Sequence, residues 1–381
     1  MGRNALILGI VLLLALLPGR AQDEDVEVFY PNLPENRLIV GHEPGRKLPD
    51  MRGAFKVFED EDLGFTVFEA DYPEELIDYF SSMPGVRYVE PDYVATAFFT
   101  PNDPKYPQQY GPQLISAPQA WDVQRGSDNI VVAVVDTGVD YNHEDLYGRV
   151  IKGYDFVNSD SDPMDDQGHG THCAGIIGAT LNNGVGIAGI AQTSIMAVKV
   201  LDYQGSGYYS WIANGIKYAV DNGADVISMS LGGPSDSTTM KDACDYAWSK
   251  GVLVVAAAGN DYGGPVSYPA KYDSVMAVSA IDSSNRLASY SNVGPEIEVC
   301  APGSSVLSCY PGDQYKSMSG TSMACPHVAG VAGLVFSENP YLSNNDVRNI
   351  LCDTATDLGS SGFDTSYGYG KVNAQAAVNA A

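Results

Sequence analysis

The chain has 381 residues, enough for roughly two or three domains, so its core needs no disulfide framework. Hydrophobic residues make up 45% of it and charged residues only 18%, which excludes a disordered chain or a coiled coil. The formal net charge is -26, which argues against binding to nucleic-acid phosphates or anionic membranes and favours cations as partners. The six Cys residues alone decide neither compartment nor pairing.

The first 21 residues have the pattern of a secretory signal peptide. Arg3 gives a positive start, residues 5–17 are apolar, and small residues around Ala21 suit cleavage. The apolar run is too short to span a bilayer comfortably, and no later segment has 18 uninterrupted apolar residues. We therefore expect a secreted, extracellular protein that has no membrane contact once the signal is removed. A retained N-terminal anchor is the alternative.

Residues 22–98 form a segment with its own pattern. Acidic residues outnumber basic ones 18 to 8 over residues 1–99, and 29 to 13 in the rest of the chain. The segment is predicted to be a small α+β module. Its predicted elements are one helix that opens on a proline and four short strands, at 73–82, 37–40, 54–58, 65–68 and 86–89. An extended prolyl stretch at 96–107 marks its boundary.

From residue 99 onward, buried strands alternate with helices. Continuous apolar runs, typical of strands covered on both faces, occur at 130–135, 195–200, 226–229, 252–258 and 275–280. Apolar spacings of three and four predict helices at 211–220, 240–248, 323–336 and 346–351. This alternation predicts a doubly wound α/β domain with a mostly parallel sheet. Its functional groups should lie just past the carboxyl ends of the strands.

Four polar residues interrupt the apolar pattern at such positions. Asp136 ends the first strand, and Asn260 follows the fourth. His169 begins a helix of small residues, and Ser322 lies in the first turn of the long apolar helix, where free N–H groups favour developing negative charge. Taken singly, the Asp, Asn and Ser each have a structural interpretation as turn or helix-capping residues.

The histidine-containing motif allows a second interpretation. His169, His172 and Cys173 are candidate metal ligands, which would make the protein a metallohydrolase. They lie within five consecutive residues, and no second Cys/His cluster supplies a fourth ligand, so zinc is not favoured. One catalytic histidine is the preferred interpretation.

In chain order the four residues are Asp, His, Asn and Ser, and the order Asp, His, Ser is that of subtilisin among Ser/His/Asp enzymes. The motifs Asp136-Thr-Gly138, His169-Gly-Thr-His172 and Gly320-Thr-Ser-Met-Ala324 match that family almost without gaps. Residues 99–381 thus resemble the subtilisin-like serine proteases. The stretches 101–104, 110–112 and 117–121 are most similar to the thermitase branch.

The resemblance implies a serine endopeptidase of broad specificity. Ser322 would be the nucleophile and His169 its general base and later general acid. Asp136 would orient the imidazole, and Asn260 would donate its amide to the oxyanion. His172 would be structural. An inactive scaffold is the remaining alternative, and the presence of all four residues argues against it.

The resemblance also implies two strands that bind an extended peptide by β-augmentation, and one main specificity pocket. The residues so assigned are Gly205, Ser206, Gly207, Ser230, Leu231, Gly232, Ala257, Gly259 and Ser267. Asp261 lies at the rim of the pocket, where it would tolerate a basic side chain of the substrate.

Structural Ca²⁺ is a further implication of the resemblance, in a stabilising and not a catalytic role. The first site would use the side chains of Asp103, Asp145 and Asn183 with the carbonyls of Thr180, Val185 and Ile187. The second would use Asp155, Asp160, Asp162 and the carbonyl of Met164, although this segment is alternatively a solvated acidic loop. A weaker third would lie by Ala270, Tyr272, Val275 and Glu298.

The module at 22–98 resembles the propeptide of the family, an intramolecular chaperone and inhibitor, and residues 86–92 match its end. We expect cleavage near Phe98 or Phe99 by the enzyme itself; a permanent second domain is the alternative. The expected partners are protein and peptide substrates and the chain's own propeptide, with no nucleic acid. The mature enzyme is expected to be a monomer.

The cysteines allow several arrangements. The resemblance implies that Cys173 is an unpaired buried thiol near the catalytic histidine, and Cys325 is close in sequence to Ser322. Cys300 and Cys309 are near enough for a short-loop disulfide, which only geometry can decide.

Overall fold

The computed structural model describes residues 37–50, 53–70, 73–93 and 99–381. The predicted signal peptide lies outside these ranges, as does Phe98 at the expected processing point. The chain divides into two compact units between Ala97 and Phe98. In the described ranges, no helix combines the length and the apolar character needed to cross a bilayer.

The N-terminal unit is a four-stranded antiparallel sheet with one helix. Its elements are β1 (Arg37–His42), β2 (Ala54–Asp60), β3 (Phe65–Ala70), α1 (Pro73–Ser81) and β4 (Val86–Pro91). The strand order is β2-β3-β1-β4. Alternate residues of the central strands are buried, and Leu38, Val40 and Phe68 pack with Leu76 and Phe80 of α1. Each element lies within three residues of its predicted position at both ends.

The C-terminal unit is built on a seven-stranded parallel sheet with the order β11-β10-β9-β8-β5-β7-β6. The strands are β5 (Val131–Asp136), β6 (Val150–Asp155), β7 (Ser194–Lys199), β8 (Val226–Met229), β9 (Leu253–Ala257), β10 (Val275–Ile281) and β11 (Ile297–Pro302). A separate hairpin consists of β12 (Val306–Tyr310) and β13 (Gln314–Met318).

Helices cover both faces of this sheet. They are α2 (Gly111–Leu114), α3 (Ala117–Trp121), α4 (His169–Gly178), α5 (Tyr209–Asp221), α6 (Thr238–Ser249), α7 (Thr321–Glu338), α8 (Asn344–Asp353) and α9 (Ala374–Asn379). Along β5, Val132 and Val134 pack into the core that contains α4 and α7. Ala133 and Val135 pack into the core that contains α5 and α6. The predicted doubly wound α/β fold is confirmed.

Two strands of the sheet and the hairpin were not predicted. Strand β6 is an edge strand that includes Lys152 and Gly153, and β11 includes the half-buried Glu298, so neither is a continuous apolar run. Strand β13 is largely exposed. Reading only uninterrupted apolar runs as strands therefore misses the sheet edges.

All six cysteines are buried and free. The short-loop disulfide considered between Cys300 and Cys309 is therefore wrong. Cys300 lies on β11, which pairs with β10, whereas Cys309 lies on β12 and packs against Gly175 of α4.

Candidate active site

The four candidate residues lie at the ends of elements of the C-terminal unit. Asp136 is the last residue of β5, and His169 is the first residue of α4. Asn260 follows β9, and Ser322 is the second residue of α7. Because the strands are parallel, Asp136 and Asn260 follow carboxyl ends at the same edge of the sheet.

Asp136 and His169 form a direct hydrogen bond. The Nδ1 atom of His169 is 2.8 Å from Oδ1 of Asp136, which also accepts the backbone N–H of Thr137. A Cβ atom on Gly170 would lie 2.0 Å from the carbonyl oxygen of Gly138, so only glycine lets the first turn of α4 approach β5 this closely. Burial by itself lowers the pKa of His169, but the Asp136 carboxylate raises it to a net value above the ordinary one.

Asp165, Asp166 and Lys199, which the sequence analysis did not single out, bind the segments next to this pair. Asp165 accepts hydrogen bonds from the Thr137 hydroxyl and from the backbone N–H of Gly168, just before His169. The buried ammonium of Lys199 donates to the carbonyls of Thr137 and Leu201 and to Asp166. These contacts connect the end of β5 to the loop that carries His169. In the sequence these three are visible only as polar residues near the ends of strands. That position does not show which groups they bind.

Ser322 lies beside this pair. Its carbonyl oxygen accepts the hydroxyl of Ser230 at 2.7 Å and lies 3.5 Å from the thiol of Cys173, which is one turn along α4 from His169. The Ser322 hydroxyl itself donates to the Ser230 carbonyl at 3.1 Å. Among the described residues it has no hydrogen bond to His169, a geometry that is common before substrate binds.

Asn260 is held so that its amide nitrogen is free. Its Oδ1 atom accepts the backbone N–H and the hydroxyl of Thr321. Gly259, with a φ of 106°, reverses the chain just before it, which favours glycine. A Cβ atom on Gly320 would lie 3.6 Å from Nδ2 of Asn260 and 3.6 Å from the backbone nitrogen of Ser322. The amide nitrogen of Asn260 and the backbone nitrogen of Ser322 therefore lie near each other, in a cavity that both residues line. Two neighbouring N–H donors suit an oxyanion.

Two cavities adjoin these residues, and together they contain every predicted substrate-binding residue. The first, of about 290 Å³, is lined by Ser230, Leu231, Gly232, Ala257, Gly259, Asn260, Asp261, Ser267, Thr321 and Ser322. The second, of about 390 Å³, is lined by Gly205, Ser206 and Gly207 and also by Tyr209 and Ile212. The last two were missed, although their spacing of three on α5 was visible in the sequence.

The first predicted calcium cluster is brought together. Asp103 and Asp145 are buried, and neither has a basic partner within the described part of the chain. Burial, with the nearby Asp103, raises the pKa of Asp145 to about 6. Asn183 contacts both carboxylates through its backbone and side-chain nitrogens. In the same segment, the carbonyls of Thr180, Val185 and Ile187 accept no hydrogen bond from any described residue.

The second predicted cluster is not compact. Asp155 accepts hydrogen bonds from Val157 and Asn158 of its own loop. Asp160 accepts the N–H of Asp162, which accepts the hydroxyl of Tyr141. The carboxylates of Asp155, Asp160 and Asp162 do not converge on one point within the described residues. A second cation site and its alternative, an acidic loop, both stay predictions; Asp155 itself is buried.

The third, weaker cation site has an arginine beside it, and its residues line a cavity of about 580 Å³. The guanidinium of Arg348 donates to the carboxylate of Glu298 through Nε and Nη2. Its Nη1 donates to the carbonyl of Asp273, and Nη2 also donates to that of Val275. Glu298 and the Val275 carbonyl, two of the groups expected to bind a cation there, are thus already paired with the positive Arg348 side chain.

One of the three candidate metal ligands in the histidine motif, His172, has other partners. The Nε2 atom of His172 lies within hydrogen-bond distance of the carbonyls of Val306 and Lys316. Asp136, His169 and Cys173 do form a compact group among the described residues. Burial raises the pKa of Cys173 well above its ordinary value, however, so in the metal-free protein it is a neutral thiol.

A doubly wound α/β unit with a carboxylate–imidazole pair, a serine at a helix N-terminus and two neighbouring N–H donors has the features of the serine hydrolases. The model of the subtilase family matches residues 127–370, and the chain belongs to that family. It is a thermitase-like subtilase, a serine endopeptidase, as the sequence predicted.

Three relatives are about 50% identical to this chain over the residues that align. The thermophilic serine proteinase of Bacillus sp. (strain AK1) is 48% identical over 82% of this chain and 78% of its own. Thermitase of Thermoactinomyces vulgaris is 51% identical over 74% of this chain and 99% of its own. The halolysin-like extracellular serine protease Nep of Natrialba magadii is 47% identical over 77% of this chain and 55% of its own.

Proposed function

We propose that this subtilase is a secreted, calcium-stabilised endopeptidase of broad specificity, made as a precursor that processes itself. The observation that carries the proposal is the hydrogen bond between Asp136 and His169, next to a serine at the N-terminus of a helix. We assign Ser322, His169, Asp136 and Asn260 as the catalytic residues.

Catalysis begins when Nε2 of His169 takes the proton of the Ser322 hydroxyl, which has left the Ser230 carbonyl. The serine oxygen attacks the peptide carbonyl, and the oxyanion is stabilised by Nδ2 of Asn260 and the N–H of Ser322. Asp136 holds the imidazole tautomer and stabilises the imidazolium. His169 then protonates the leaving amine, and water hydrolyses the acyl-enzyme by the same steps.

Substrates bind as an extended strand in the two cavities beside the catalytic residues. Gly205–Gly207 and Ser230–Gly232 expose backbone groups that pair with a peptide whatever its sequence, which gives broad specificity. The first cavity has small residues on its walls and one carboxylate, Asp261, so it accepts large apolar side chains and tolerates basic ones. Proteins and peptides are thus the substrates, and the acidic chain has no affinity for nucleic acid. The mature enzyme acts as a monomer.

Calcium fits the first predicted cluster. Two buried carboxylates that form no ion pair with a described residue repel each other, and three carbonyl oxygens in the same segment accept no hydrogen bond from the described residues. Oxygen donors of this kind and number suit Ca²⁺. The residues that would hold it are Asp103, Asp145, Asn183, Thr180, Val185 and Ile187. Bound there, the ion stabilises the fold by mass action and takes no part in hydrolysis.

The chain is exported and then shortened. We assign residues 1–21 as the signal peptide, 22–98 as the propeptide and 99–381 as the catalytic domain. The Natrialba relative is named an extracellular protease, which supports export. The N-terminal unit forms a separate core, which supports a module that folds alongside the enzyme and is later removed.

Expression of the Ser322→Ala precursor tests this proposal. Without the hydroxyl no acyl-enzyme forms, so we expect the precursor to accumulate uncleaved and without protease activity. The matched control is Ser317→Ala, which removes an exposed hydroxyl on β13 and should process normally. A mature Ser322→Ala chain produced without added protease would rule out self-processing.

A further inference from the structure

The chain around Phe99 is anchored by its backbone nitrogen and its ring. The N–H of Phe99 donates to Oδ1 of Asp122 at 2.8 Å. The Phe99 ring packs edge-on against the buried Trp121, with centroids 6.2 Å apart, and the guanidinium of Arg125 lies 4.0 Å from its centroid. These contacts fix the position of this nitrogen on the C-terminal unit.

Asp122 is better suited to a charged partner than to a peptide N–H. Its carboxylate has no other hydrogen bond and no ion pair within the described ranges. Arg125 donates instead to the carbonyl of Trp121. An exposed peptide N–H is satisfied by water, whereas an ammonium offers a full charge and three donors to a carboxylate.

The position of this carboxylate distinguishes Phe99 from its neighbours. In residues 99–102, only the N–H of Phe99 donates to a carboxylate, and the N–H of Asn102 donates to the neutral amide of Asn182. A chain that began at Phe99 would gain a new ion pair, and one that began at Asn102 would not.

We infer that the new α-ammonium group of Phe99, the first residue of the catalytic domain proposed above, forms an ion pair with Asp122 in the mature enzyme. The inference rests on the proposed self-processing. Hydrolysis breaks the C–N bond on the amino side of Phe99. One water is consumed, since its hydroxyl completes the new carboxylate, and the freed amine keeps its hydrogen and is protonated to an ammonium at neutral pH.

The ion pair tightens an arm that already crosses the C-terminal unit. Beyond Phe99, the Asn102 amide oxygen accepts the N–H of Gly184, and Asp103 accepts the N–H groups of Asn182 and Asn183. Fixing the start of the arm therefore restrains Asp103, a ligand of the proposed calcium site. The new charge appears only on cleavage, so this stabilisation belongs to the mature enzyme and not to the precursor.

The first test is the mass and N-terminal sequence of the mature chain made from the full precursor. We expect Phe99 as the first residue. A stable mature chain that starts at another residue overturns the assignment of Phe99 but leaves self-processing intact. Persistence of the active-site-intact precursor overturns both.

The second test compares Asp122→Asn with Asp242→Asn, which removes an exposed carboxylate of α6 that has no hydrogen bond. Each change is measured in the mature enzyme, inactivated with a serine-reactive reagent, and in the uncleaved Ser322→Ala precursor. Since the pair is exposed, we expect Asp122→Asn to lower the Tm of the mature form by about 1 to 3 °C more than the control does. It should have no such effect in the precursor. Equal effects of Asp122→Asn in both forms would overturn the ion pair.

Discussion

At the residue scale, Asn260 shows how one side chain depends on a neighbour. Its oxygen accepts two hydrogen bonds from Thr321, which leaves its nitrogen as the donor near the backbone nitrogen of Ser322. Asn260 itself was found from the sequence because it follows a buried strand. Thr321 was not, because its part depends on a hydrogen bond between two elements 61 residues apart.

Replacement of Asn260 by Ala should lower kcat with little change in KM, because the donor acts on charge that develops only in the transition state. We expect a loss of about 100- to 1,000-fold, the size found when the oxyanion-hole asparagine of subtilisin is removed. Steady-state kinetics on a peptide substrate measure it. The control is Asn349→Ala, an exposed position of α8. An unchanged kcat would show that Asn260 is a turn residue.

At the scale of elements, α4 and α7 bring the histidine and the serine together through almost fully buried helices. Both are rich in small residues, and Gly175 of α4 packs directly on Ser308 and Cys309 of β12. Both helices and five central strands were predicted, because their apolar patterns are long and continuous. The edge strand β6 was not, since Lys152 and Gly153 break its pattern and its pairing with β7 is decided by tertiary contacts.

These two helices also bury histidines that titrate in acid. Burial lowers the pKa of His172 on α4 and of His327 on α7 to about 4. In the unfolded chain both have a pKa of about 6.5, so the unfolded state binds more protons between these values. Protonation of these two histidines therefore favours the unfolded chain. Their contribution to the free energy of unfolding is fully present above pH 6.5 and is lost as the pH falls toward 4.

Replacement of His327 by Gln should therefore flatten the acid dependence of stability. Between pH 6.5 and 4, the free energy of unfolding of the inactivated mature enzyme should fall less steeply in the variant, by up to about 1.4 kcal/mol per pH unit. Urea unfolding at several pH values measures the slope, which is independent of any general destabilisation. A variant with the wild-type slope would show that His327 does not titrate in this window.

At the scale of the whole molecule, the net charge of -26 is divided between the part proposed to be removed and the part proposed to be kept. Residues 100–381 hold 29 acidic and 13 basic residues, and the rest of the negative charge lies in the part proposed to be removed. In the C-terminal unit, Asp103 and Asp145 are neighbouring buried carboxylates, and neither forms an ion pair with a described residue. The sequence marked three cation sites with similar reasoning; at the third, the Arg348 guanidinium already neutralises the Glu298 carboxylate.

The most direct test of the central claim, that Ser322 is the nucleophile and any metal is structural, compares a fluorophosphonate with a calcium chelator on the mature enzyme. We predict one covalent label per chain, located on Ser322 by mass spectrometry, and a loss of peptidase activity in proportion to labelling. Chelation should remove activity only as fast as the fold is lost, as followed by circular dichroism. Full labelling with activity retained, or immediate inactivation by the chelator while the fold is intact, would contradict the account.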